Sequence, residues 1–164
     1  MDSVSQEAVA MIESFKETLL NVNYNITDVK EDAEELKNVL MVMLVKIDHI
    51  LFKSNGFGRV IGHKGADGLS QHTQCRLGKW YSTEAKERFA KTPSYKEIDK
   101  PHAIVHNNII EAANLSKDGY DRKKVPLIIE KFTEMEEASV RLFTLLDNMI
   151  KEANNLHEQP KSLQ

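Results

Sequence analysis

Apolar side chains recur along the first third of the chain with one unbroken phase. Phe15, Leu19, Val22, Ile26, Val29, Ala33, Leu36, Leu40, Met43, Ile47 and Ile50 follow one another at alternating intervals of four and three residues. A seam of about five heptads predicts one helix of coiled-coil or bundle type over roughly residues 4–53. Asp28 and Glu31 have capping-box spacing and mark the weaker alternative, a break near residue 24. The phase carries through that point, which favours a single helix. A second seam, Ile128, Phe132, Met135, Ser139, Leu142, Leu146 and Met149, predicts a last helix from about Pro126.

Between the seams the pattern is broken. Five of the seven glycines lie between Gly56 and Gly68, so residues 54–72 read as a loop with a short helical turn around Arg59–His63. Gly56-x-Gly58 is no phosphate loop, because no strand precedes it and the third glycine is misplaced. A short helix is expected over Trp80–Lys91, with Ser82 as its cap and Pro93 just past its end. Ser94 and Glu97 have capping-box spacing. Pro101 suits the first turn of a helix that runs to about Ser116 and stops at Asp118-Gly119.

No strand pattern or internal repeat is visible, so the fold class is all-α. We expect a four-helix-type bundle with a long N-terminal coiled-coil-like helix and a short extra helix. The chain divides into a helical connector over 1–39, a bundle over 40–152 and a polar, frayed tail over 153–164.

Composition narrows the function classes. At 164 residues and 41% hydrophobic, the chain can bury one domain's core. A net charge of −3 gives no nucleic-acid footprint, and residues 1–40 hold nine acidic side chains against three lysines. That excess argues against binding phosphates or anionic lipid there. One cysteine cannot form an internal disulfide, and no apolar run approaches the ~20 residues of a membrane span. No signal-peptide pattern opens the chain, and a cytoplasmic protein is expected.

Candidate chemistry is confined to three clusters, around His49, Cys75 and the His102/His106 pair. His102 and His106 are one helical turn apart on one face, and Ile109, Ile110 and Ala113 continue that side toward the core. Buried imidazoles need partners. Singly, each residue has a plain reading: surface histidines, a small buried thiol, a histidine at the core edge. His72 competes for a ligand place, and Asp48 is a doubtful acceptor for His49. His63 and His157 are given no role. Glu134-x-Glu136-Glu137 reads as a solvated helix face, and no Glu-x-x-His pair suggests a carboxylate-bridged metal enzyme or oxygen carrier.

Taken together, the clusters resemble the chemoreceptor zinc-binding (CZB) domain family. The shared pattern is a histidine with a bulky apolar residue at +2, then Cys-x-apolar-Gly-x-aromatic, then His-x-x-x-His. Here it is met by His49 and Leu51, by Cys75, Leu77, Gly78 and Trp80, and by His102 and His106. The resemblance spans roughly residues 40–152. It implies that His49, Cys75, His102 and His106 are the ligands of one Zn2+ ion. Three nitrogens and one sulfur suit tetrahedral zinc and leave no protein position open for hydrolysis, so a non-enzyme is expected.

Related domains sit at the ends of chemoreceptor signalling helices or are fused to other signalling domains, and work as homodimers. The resemblance therefore implies a cytoplasmic sensor in chemotaxis-type signalling that reports zinc, or oxidants such as hypochlorous acid, through Cys75. A zinc thiolate stays nucleophilic toward oxidants, and with no second thiol its oxidation cannot be trapped as an internal disulfide. The alternative is a stand-alone helical dimerisation or adaptor protein in which zinc is purely structural. Neither reading calls for nucleic acid or membrane.

Overall fold

A computed structural model describes residues 3–158, with side chains over 4–156. The side chain of His157 lies outside the described residues. Six helices follow in order: α1 Ser3–Ile61, α2 Arg76–Ser82, α3 Glu84–Phe89, α4 Pro93–Glu97, α5 Asp99–Ser116 and α6 Lys124–Glu158. No strand occurs among the described residues. The fold is an all-α bundle. Contacts divide the chain after Leu40 into two units.

The unit before Leu40 is helical, and the seam side chains within it are all exposed. In the second unit, α1 carries two apolar stripes. Met43, Ile47 and Ile50 continue the seam and are likewise exposed. The stripe turned inward is Val42, Val45, His49, Phe52, Phe57 and Val60. His49 therefore belongs to the buried stripe, not to the exposed seam.

Helix α1 continues through Gly56 and Gly58, correcting the loop expected from residue 54. Gly56 lies where α1 meets α5: a Cβ there would fall 2.4 Å from Ile109 Cγ2. Phe57 packs on Phe132 at 4.3 Å between ring centres. These residues keep the helical core stripe, and the glycine allows close approach rather than a turn. The true loop begins at residue 62, where Gly65 and Gly68 take positive φ of 65° and 83°. His63 closes the helix with Nδ1 2.7 Å from the Ser116 carbonyl.

The bundle's long walls are α1, α5 and α6, and three short helices fill the fourth side in place of one. The helix expected over 80–91 breaks at Thr83, whose φ of −120° and ψ of −103° are not helical. Ser82 ends α2 rather than capping a helix, and Pro93 opens α4, with Thr92 Oγ1 accepting from the Tyr95 amide. Ser94 is not a cap. Its amide and hydroxyl both donate to the Glu152 carboxylate on α6, at 3.0 and 2.6 Å. Tyr81 and Tyr95 stack at 4.4 Å, and each hydroxyl donates to the other's carbonyl, tying α2 to α4.

The core is layered along the bundle. One layer joins Val45, Leu77, Trp80, Phe89, Ile98, Leu142 and Leu146. A second holds Val105, Ile109 and Met135 with Phe52 and Phe57 against it, and a third holds Val60, Ala113 and Ile128. The α6 seam is buried as its spacing predicts, apart from the partly covered Phe132. Helix α6 runs on to Glu158 with Ala153 buried, so the expected tail is helical that far. Residues 159–164 lie outside the described residues.

Candidate metal centre

His49 is preceded by Val45 of the first apolar layer and followed by Phe52 of the second. At α5, its N-cap Ile98 of the first layer precedes the histidine pair and Ile109 of the second follows it. The sequence thus sets three imidazoles between two apolar layers, each 1–2% exposed. Cys75 reaches them from the start of α2, as its N-cap. Gly78 N–H donates to Sγ at 3.4 Å, and the thiol donates to the His72 carbonyl at 3.2 Å. Leu77 and Trp80 anchor that helix in the core, which gives the apolar and aromatic positions of the motif their physical purpose. Leu51, by contrast, is exposed.

The four donor atoms converge. One nitrogen from each of His49, His102 and His106 and the Cys75 sulfur all lie within 4.8 Å of one another. Cys75 Sγ is 3.2 Å from His102 Nε2, and His106 Nε2 is 3.4 Å from His49 Nε2. Tetrahedral zinc, with bonds of about 2.0–2.1 Å to nitrogen and 2.3 Å to sulfur, sets neighbouring donors about 3.3–3.6 Å apart. The donor chemistry and the spacing both fit one such ion.

The outer nitrogens are already engaged. His49 Nδ1 is 2.6 Å from the Val45 carbonyl, and His106 Nδ1 is 2.8 Å from the Ser70 carbonyl. A carbonyl only accepts, so each Nδ1 carries the proton and Nε2 offers its lone pair inward. The rings pack edge to face, and Phe52 covers His106 at 4.1 Å.

Burial also holds the imidazoles neutral. Desolvation, with the neighbouring histidines, pulls His102 down to about 2. Burial takes His106 to about 4 and lowers His49 as well. At neutral pH all three are ready to ligate. Burial pushes the Cys75 thiol up, against hydrogen bonds from Gly78 and Leu77 that favour thiolate. A bound cation reverses that balance.

The other polar candidates stand aside. His72 is not among the converging groups; its Nε2 is 3.7 Å from Asp99 Oδ1. Asp48 turns from His49 to Arg76, 3.1 Å away, and so links the residue before one donor to the residue after another. Glu136 pairs with Lys53 and Glu134 with Lys131, as a solvated face would. The carbonyls of Val45 and Ser70 were invisible to sequence reading, since a backbone acceptor carries no residue-type signal.

A bundle that points three imidazoles and a thiol at one locus defines a helical metal-binding module. Comparison with known proteins specifies which. Residues 49–113, the segment that contains all four donors, match the family described as the chemoreceptor zinc-binding domain. Its cofactor is Zn2+. No curated protein and no solved structure matches the chain. No helix among the described residues is long and apolar enough to cross a membrane.

Proposed function

We propose that the chain is a non-enzymatic, cytoplasmic signalling module of chemotaxis type. His49, Cys75, His102 and His106 are its zinc ligands, and Cys75 is its redox-sensitive corner. When bound, zinc holds the thiolate ionised while leaving it nucleophilic. One observation carries the reading: the three histidines are buried, whereas Cys75, at the N-cap of a seven-residue helix after the loop, is only partly covered. A small oxidant reaches the sulfur first. In net terms, the thiolate takes the hydroxyl of hypochlorous acid to give a sulfenic acid, and chloride leaves.

Sulfenic acid is a poorer donor, so the segment from the 62–75 loop through α2 loosens its hold on the three histidines. Limiting hypochlorous acid should therefore oxidise Cys75, trapped as a sulfenic adduct by mass spectrometry, and raise amide exchange over residues 62–82. Oxidation of Cys75 with unchanged exchange, or an equal response from Cys75→Ser, overturns the redox role and favours a purely structural zinc site.

The output partner is a second copy of this chain. The seam side chains on α1 are exposed along their whole run, a self-complementary heptad stripe that a single chain leaves in water. Placing charge in it, as Ile26→Glu with Leu36→Glu, should weaken self-association by about tenfold or more. Zinc content should not change. Light scattering across a dilution series checks this, and a wild type that is monomeric throughout rejects the dimer.

A further inference from the structure

Beside the four converging donors stands a fourth imidazole that is not among them. The His72 ring centre lies 5.4 Å from that of His102, the separation found between His49 and His106 within the cluster. Its side chain is 23% exposed, yet Nδ1 is shielded from solvent and has no hydrogen-bond partner among the described residues. The other nitrogen, Nε2, faces the Asp99 carboxylate at 3.7 Å. One nitrogen turned to a carboxylate or carbonyl while the other stays free is the arrangement of a metal-ligating histidine. His49 and His106 show it with backbone carbonyls.

His72 also shares a turn with Cys75. The Cys75 thiol donates to the His72 carbonyl at 3.2 Å, and the Gln74 amide donates to the Gln71 carbonyl at 3.0 Å inside the same turn. The two side chains therefore approach the three buried imidazoles from one short backbone segment. Exchanging one for the other asks for a change within this turn, not a rearrangement of the long helices.

We propose that His72 is a reserve zinc ligand, filling the corner of Cys75 when the thiol is oxidised or absent. Asp99 orients its ring, and the ion then stays bound through four nitrogens. This rests on the zinc site described above and deepens it: signalling becomes exchange of one ligand rather than loss of metal. Imidazole suits zinc as well as thiolate does, so such a site remains four-coordinate.

The test compares wild type, Cys75→Ala, His72→Ala and both Cys75→Ala/His72→Ala and Cys75→Ala/His72→Gln. Zinc affinity is measured by chelator competition and coordination by the visible spectrum of the cobalt-loaded protein. Cys75→Ala should lose the sulfur charge-transfer band, keep the intense ligand-field bands of a four-coordinate ion, and still bind one equivalent of metal. Either second substitution should then cost at least about a further tenfold in affinity and shift the ligand-field bands to those of a site with water in the fourth position. His72→Ala alone should leave the reduced protein's affinity and spectrum unchanged.

Equal affinities and spectra for Cys75→Ala and both doubles overturn the proposal, as does an open-site spectrum already in Cys75→Ala. The Gln variant keeps side-chain bulk, and the Cys75→Ala spectrum needs no substitution at residue 72, so misfolding of a double does not decide the matter. Wild type that binds no metal is a different result, and it defeats the zinc site itself.

Discussion

Replacing His102 by alanine should remove zinc from this protein at concentrations that saturate the wild type. His102 Nε2 lies 3.2 Å from the Cys75 sulfur, and its ring faces those of both His49 and His106. It is 1% exposed, so water cannot readily fill its corner without opening the core. We expect zinc affinity to fall by about a hundredfold or more, roughly 2.7 kcal/mol. The effect should also appear as lost thermal stabilisation, because an ion bound only by the folded state adds RT ln(1 + [L]/Kd). Wild type should melt higher with zinc than with chelator, and the variant should show little difference. His63→Ala, at a histidine bonded to Ser116, should keep wild-type zinc affinity. If His102→Ala binds zinc as tightly as wild type, the converging donors are not its site.

Gly78→Ala should be the most damaging single methyl group in the chain. A Cβ at this position would lie 2.1 Å from the His72 carbonyl oxygen and 2.8 and 2.9 Å from Thr73 Cα and C. All three neighbours are backbone, so no side chain can swing aside. Helix propensity favours alanine by about 1 kcal/mol, but overpacking against fixed backbone outweighs it. We expect a net loss of about 3 kcal/mol, a fall in Tm of roughly 6–12 °C for a chain this size. Helix α2 must shift from the 72–73 turn and take Cys75 with it. Zinc affinity should therefore drop as well, although residue 78 touches no ion. Thermal melts with chelator competition separate the two effects. A variant with wild-type Tm and zinc affinity would show that the turn and helix yield at no cost.

Gly78 also shows how far sequence reading went. The Cys-x-Leu-Gly-x-Trp pattern pointed to the residue, but only the packed turn supplied the reason. Gly56 misled in the opposite direction. A cluster of glycines reads as a loop, and nothing in the sequence reveals that Ile109 is pressed against this one. Ser94 looked like a cap because capping-box spacing is local, whereas its partner Glu152 lies on another helix. His49 lies between Ile47 and Ile50 of the seam, and two apolar stripes on one helix, offset by a residue or two, look like one periodicity until burial separates them.

By itself the sequence determined the helical class, the two seams, the α5 and α6 helices to within a few residues, and the identity of the four donors. The helices and seams rest on periodicity and residue type, which are properties of the chain; the donors came from the resemblance of its motifs to the CZB pattern. Tertiary structure decided which stripe of α1 is buried, that Cys75 caps a helix, and that carbonyls of Val45 and Ser70 fix two imidazoles. It also placed His72 one turn from Cys75, with Nδ1 unpartnered among the described residues. These depend on backbone atoms and on contacts between residues distant in sequence, for which a string of side-chain names holds no record.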